Sequence, residues 1–185
     1  MIHHTPSVPT SGLFMHTIAD LPGGVTLHSE NLGGAYLQVG TPIGKAEKGI
    51  YQVEKIAATY TEIRADSKEL KVEKGHHFLA GDYIAADIAD GQRIVSVNKQ
   101  SVEYDILTLE QPFSVMLPKQ TALFASEGNN KQPKVVPIAL VAASTLVPRE
   151  GELYCGAWLI CVVKEKQNLP IAQTLREHLK TVLFV

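Results

Sequence analysis

Two adjacent histidines, four aspartates and two cysteines are the side chains of this sequence whose types and spacing could do chemistry. His76 and His77 stand in Lys74-Gly-His-His-Phe-Leu-Ala-Gly-Asp-Tyr-Ile. Neighbouring residues of a strand point to opposite faces, so the pair cannot chelate one metal ion without a bend, and no Cys or carboxylate stands at a recognised ligand spacing. The expectation is a turn position with one imidazole exposed. Asp82, Asp87, Asp90 and Asp105 could act as acid and base if they met in a cleft. Three of them adjoin Gly or Ala in turn-like contexts, where Asp bonds its own neighbouring amides, so turn capping is expected. A hydrolase would need Asp82 to converge with His76 or His77. Asp87-Ile-Ala-Asp-Gly lacks the spacing and closing glutamate of a calcium loop.

Cys155 and Cys161 are six apart, which on one strand separates them by roughly 20 Å at about 3.3 Å per residue. A disulfide needs Cα atoms within about 7 Å, so they read as buried, unbridged thiols of a reducing compartment. Their apolar surroundings raise a thiol pKa rather than lower it. No Gly-x-Ser-x-Gly elbow is present, and Gly23-Gly-Val-Thr and Gly33-Gly-Ala-Tyr lack the lysine and the strand-loop-helix setting of a phosphate loop. The reading is therefore a non-enzyme with no catalytic residue, no metal ligand and no cofactor.

Of the 185 residues 45% are apolar and 19% charged, an ordinary folded composition that allows one domain or two. A net charge of −2 and the absence of a Lys/Arg run argue against a nucleic-acid partner. Met1-Ile-His-His-Thr-Pro-Ser-Val-Pro-Thr has no basic and apolar leader, and the apolar runs are too short to span a bilayer, so no membrane partner and a cytoplasmic location are expected.

The elements that must hold these side chains are short strands between turns, with Gly, Pro and Asp at the breaks and Ile, Val, Thr and Tyr between. Residues 1–22 read as an arm whose sticky spot, Leu13, Phe14 and Met15, docks on a partner. Residues 23–64 are turn-rich, with strands expected at Val25–His28, at Ala35–Val39 and over 56–64. Residues 65–185 form a module whose compact part closes near residue 126. Its expected strands start near Lys68, at Tyr83, over Gln92–Val97 after an Asp90-Gly91 turn, at Tyr104–Leu109 and at Val115–Leu117. Pro170 then starts an amphipathic helix, with Ile171, Leu175 and Leu179 at four-residue intervals. The fold expected is mainly β, a small barrel or sandwich with a short C-terminal amphipathic helix. The eleven-residue apolar run Leu153–Val163 is long for a half-exposed strand. Its length implies cover on both faces, by core on one and by another subunit or layer on the other. Leu153, Tyr154, Ala157, Trp158, Leu159 and Ile160 are the expected homo-oligomer interface. Trp158 with Tyr154, Tyr83 and Tyr104 could also form a sugar platform, though its apolar setting favours core or interface.

Gly40-Thr-Pro-Ile-Gly, the Lys74–Ile84 stretch, Ile94-Val-Ser-Val-Asn, Tyr104-Asp-Ile-Leu-Thr-Leu, Val136-Pro-Ile-Ala-Leu-Val and Leu169-Pro-Ile occur in an order that resembles virion proteins of tailed phages and prophages. The nearest types are head-fibre and capsid-decoration proteins, over roughly residues 35–185. The resemblance implies a β-rich structural protein that binds the major capsid protein as a homo-oligomer, frequently a trimer. It places the chain in a virion and implies no catalytic residue. The alternative is a small-ligand or glycan-binding β module using loops at Gly75–Asp82 and Glu127–Lys134, with Tyr83 or Tyr104 in the pocket.

Overall fold

The chain is mainly β, 46% strand against 4% helix, which agrees with the fold class expected from the sequence. The computed structural model describes residues 12–45, 50–167 and 170–185. Its first strands are β1 (Phe14–Asp20), β2 (Val25–His28), β3 (Tyr36–Leu37), β4 (Pro42–Lys45) and β5 (Tyr51–Val53). Next come β6 (Ile56–Ala58), β7 (Glu69–Glu73), β8 (Tyr83–Ala86), β9 (Ala89–Asn98), β10 (Tyr104–Leu109) and β11 (Ala122–Ser126). The rest are β12 (Pro137–Val141), β13 (Thr145–Leu146), β14 (Glu152–Cys155), β15 (Ala157–Val163), helix α1 (Gln173–Arg176) and β16 (Val182–Phe184).

Strands β6 to β11 make a six-stranded sheet in the order β6-β11-β8-β9-β10-β7. Strict alternation orients β10, which buries Asp105, Leu107 and Leu109 and half-exposes the residues between them. The sheet curls until its two ends meet. Thr59, just past β6, bridges Val72 of β7, and the Tyr60 N–H donates to Lys71 O at 2.8 Å. Phe78, Ile84, Ile94, Leu107, Leu117 and Leu123 fill the interior.

The outer side of this sheet is covered too. Ile56, Ala85 and Phe124 point away from that interior into a second core shared with Leu140, Trp158 and Leu175. Because β6, β8 and β11 are buried on both faces, they read as unbroken apolar runs rather than alternating ones.

The second sheet runs β1-β15-β12-β4-β5-β2-β14, with β16 parallel to β15. It breaks the expected eleven-residue strand in two at Gly156. β14 pairs with β2 at one end of the order and β15 with β1 and β12 at the other, so the sheet curls far enough for consecutive strands to span its ends. The Ala142 N–H bonds Gly156 O at 2.9 Å at that corner. The break also sends the two cysteines to different cores, Cys155 among Val25, Leu27 and Leu153 and Cys161 with Val163 and Val182. Burial pushes both thiols up to about 11.

Several expected boundaries move, each for a physical reason. The strand over 56–64 stops at Ala58, and Ile63 makes only an isolated bridge to Leu117, which is all the sheet pairing that Val115–Leu117 makes. Asp90-Gly91 lies inside β9, and the reversal falls at Asp87-Ile88 between paired Ala86 and Ala89. Gly91 is there for space, since a Cβ would strike Gly128 O, and its N–H donates to Asn130 O at 2.8 Å. The terminal helix shrinks to one turn beginning three residues after Pro170. Ile171, Leu175 and Leu179 are all buried as their spacing requires. The N–H groups of Leu175, His178 and Leu179 instead reach back three residues, the tight pattern of 3₁₀ turns.

Among the described residues the chain crosses between the sheets at Val53–Ile56 and again between Ser126 and Pro137. A third contact brings Gly33-Gly34 against His77-Phe78, where the Gly33 N–H donates to His77 O at 3.1 Å. A Cβ on Gly33 would lie 2.8 Å from Leu79 Cδ2 and 2.9 Å from Phe78 O. Gly33→Ala is expected to lower stability by about 1–3 kcal/mol, as overpacking does. Urea unfolding should show this as a lower midpoint with an unchanged slope, and an unchanged midpoint would contradict the close approach.

Candidate functional site

Four ionisable groups meet where the chain crosses between the sheets. Glu54 and Lys55 lie on the first crossing, Lys134 on the second, and Asp82 on the turn before β8. Glu54 and Lys55 are buried to 0% and 5% exposure. Lys55 Nζ lies 2.5 Å from Asp82 Oδ2, which also accepts the Leu79 N–H at 2.9 Å, while the half-exposed Lys134 Nζ lies 3.4 Å from Asp82 Oδ1. Burial lowers the Lys55 pKa even though Asp82 favours its charge. Burial also pushes the Glu54 carboxyl well above the ordinary range, against the opposing effect of the Val135 N–H, which donates to Oε2 at 2.7 Å; Oε1 has no partner. A cavity of about 60 Å³ beside Lys55 and Lys134 is lined also by His28, Asn31 and Gln52.

A second polar cluster lies at the other end of the sheet contact. His76 and His77 are 2% and 4% exposed, which corrects the expected exposed imidazole. His76 Nδ1 accepts the Phe78 N–H at 3.2 Å, and Nε2 lies 3.1 Å from Asp105 Oδ2, off the line of a well-formed hydrogen bond. Lys74 Nζ donates to Asp105 Oδ1. His77 Nδ1 accepts the Gly34 N–H at 3.1 Å, and its buried Nε2 has no partner among the described residues. Burial, reinforced by nearby cations, holds both imidazoles down at about 4. With both Nδ1 atoms committed to backbone N–H groups and both rings buried, neither histidine presents a free base to solvent.

The aspartates differ in their partners. Asp87 is a cap, accepting the N–H groups of Gln173 and Thr174 at 2.8 and 2.9 Å. Asp82 does cap its own turn, accepting the Leu79 N–H, but is at the same time a buried charge, and Asp105, on β10, is a buried charge; burial with a cation is what the turn-capping expectation missed. The reason is long-range: Lys55 and Lys74 are 27 and 31 residues from their partners. Asp82 does not meet His76 or His77 as the hydrolase reading requires, since its partner is Lys55 and that of His76 is Asp105.

The expected assembly residues are scattered by the break at Gly156. Leu153 and Ala157 are buried, Trp158, Leu159 and Ile160 half-buried, and Tyr154 is exposed with its hydroxyl donating to Gly23 O. The described part of the expected arm is itself a sheet strand on β15. Leu13 is buried, Phe14 meets Trp158 edge-on with ring centroids 6.4 Å apart, and Met15 is exposed. Residues 1–11 lie outside the described ones. The aromatic platform does not form around Trp158; it is Tyr60 that pairs with Tyr104, at 5.2 Å. Neither Tyr83 nor Tyr104 lines the cavity beside Lys55 and Lys134.

Among the described residues no group of three His, Cys, Asp or Glu side chains converges as a metal site, and no helix is long and apolar enough to cross a membrane. No protein-family model, curated protein or solved structure matches the chain.

The buried ionisable groups make two expectations testable. Asp82→Ala strands Lys55 in the interior and is expected to cost about 3–5 kcal/mol, whereas Lys55→Met with Asp82→Leu should recover most of it; equal losses in urea unfolding would contradict the pairing. The histidines are depressed in the fold relative to 6.5, so their contribution is complete above pH 6.5 and is lost as pH falls towards 4, by up to about 1.4 kcal/mol per pH unit for each. Imidazole NMR shifts should stay those of the neutral form down to pH 5.5; titration near 6.5 would contradict their burial.

Proposed function

We propose that the protein is a non-enzymatic structural component of a phage virion, a head-fibre or capsid-decoration protein that assembles as a closed homo-oligomer. The observation that carries the assembly half is the outward face of β1, β15 and β16. His16, Val162 and Leu183 lie side by side across the three strands, and Ala19 pairs with Ile160 next to them. Met15, Ile18 and Leu183 are 59%, 65% and 60% exposed, and Val162 and Ile160 half-exposed. No Lys, Arg, Asp or Glu interrupts this set. An uncharged apolar face is complementary to a copy of itself, so a second protomer is the occupant that needs no matching charge pattern.

β1 has no strand on its other side among the described residues. Three register shifts break its backbone row, a device that discourages edge pairing. The side chains of the face, rather than edge hydrogen bonds, therefore drive association. The expected interface moves accordingly from Leu153–Ile160 to this neighbouring face, which retains Ile160 and, from the expected arm, Met15. The capsid half of the reading rests on the resemblance of residues 35–185 to decoration and head-fibre proteins. It is tested by whether the protein cosediments with heads assembled from the major capsid protein of its own phage.

Light scattering behind size exclusion, over a hundredfold concentration range, should give a multiple of 20.1 kDa for the native chain and 20.1 kDa for Ile18→Lys with an unchanged melting temperature. A native chain that is monomeric throughout would overturn the assembly reading.

A further inference from the structure

An open groove of about 360 Å³ lies between the segment Gly33–Gln38 and the ends of β7 and β9. We infer that it binds a small acidic sugar, its carboxylate held by Lys74 and Lys99 and its ring laid against Tyr36. This site is independent of the virion reading and of the assembly face.

The charge on its walls is positive. Lys74, Lys99 and Asp105 line it, and the buried His76 that also forms its wall is neutral at physiological pH. The two lysines therefore outweigh the one carboxylate in a chain whose net charge is −2. Both ammonium groups are fixed in place by the protein yet not exhausted. Lys99 Nζ donates to Gly33 O at 2.6 Å, and Lys74 Nζ donates to Asp105 Oδ1 and to Lys99 O at 3.3 Å. An ammonium carries three donors. Among the described residues this leaves two on Lys99 and one on Lys74, both residues lining the same groove.

The rest of the groove suits a sugar rather than a bare ion. Tyr36 lines it with 60% of its surface exposed, a flat apolar ring with a polar tip, of the kind that stacks on the C–H face of a pyranose. Gln38 adds an amide that both donates and accepts. A phosphate would use the lysines and leave the ring uncovered, and a neutral sugar would use the ring and leave the charge unmatched.

The test is an amide NMR titration of the full chain with glucuronate, with glucose and inorganic phosphate at matched ionic strength as the contrasts. Saturable shifts confined to residues 33–38, 74–76 and 99 are expected with glucuronate, and binding of the two contrasts should be at least about tenfold weaker. Lys99→Gln keeps a donor for Gly33 O and removes the charge; it should weaken glucuronate about tenfold or more, in line with a charge-assisted bond. Tyr36→Ala, at an exposed position, serves if Lys99→Gln alters the fold, and should weaken glucuronate while leaving phosphate unchanged. No saturable glucuronate binding, equal binding of glucose or phosphate, or indifference to both variants would overturn the assignment.

Discussion

The buried bond between Lys55 and Asp82 is the interaction on which the arrangement of the two sheets depends. Lys55 sits where the chain passes from β5 to β6, and Asp82 belongs to the turn that opens β8, so the pair ties the first crossing to the body of the six-stranded sheet. The second crossing is tied to the first by backbone and side chain together. The Ala125 N–H donates to Lys55 O at 2.9 Å, the Lys134 N–H to Ala125 O at 3.0 Å, and the Val135 N–H to Glu54 Oε2 at 2.7 Å. Two buried charges in apolar surroundings are costly to desolvate, and they persist because each has a partner at short range. The same residues made apolar would fill the space; what the ions add is direction, because a charge pair has one register and an apolar contact has many.

The glycines and histidines of the third contact complete this frame. Gly33 and Gly34 let the first half of the chain lie on His77 at backbone distance, and neutral imidazoles accept the N–H groups that this approach would otherwise orphan. Everything on the outside, from the β1–β15–β16 face to the groove under Tyr36, inherits its geometry from these contacts. The face looks outward because Cys161, Val163 and Phe14 on the other side take the core and leave the alternate positions of the same strands exposed. The groove lies between the Gly33–Gln38 segment, which carries β3, and Lys74, Lys99 and Asp105.

Alternation made some half-exposed strands legible in the sequence, though not β1, which read as part of an arm. β7 and β10 alternate, and their residues fall where the pattern places them. The Val25–His28 strand is also where expected. The sequence misled where the fold buries both faces or turns a corner. Leu153–Val163 has no polar residue to mark its break, and only Gly156, one glycine among fourteen, carries the information. The helix after Pro170 shows the right apolar spacing, but spacing of three to four also fits a string of tight turns. The charge pairs were invisible for another reason. Lys55 with Asp82, Lys74 with Asp105 and the Gly33 contact with His77 all join residues that only the closure of the sheets brings together. Asp82 beside Gly81 therefore looked like a turn aspartate and nothing more, and Asp105 gave no sign of a buried partner within its strand.

Amide hydrogen exchange at low and high protein concentration tests most directly whether the β1–β15–β16 face is where this protein meets its own copy. The account predicts slowed exchange at high concentration confined to residues 14–20, 158–163 and 182–184, with the groove and the 127–134 loop unchanged. Protection that is independent of concentration at that face, or that grows elsewhere instead, would contradict it.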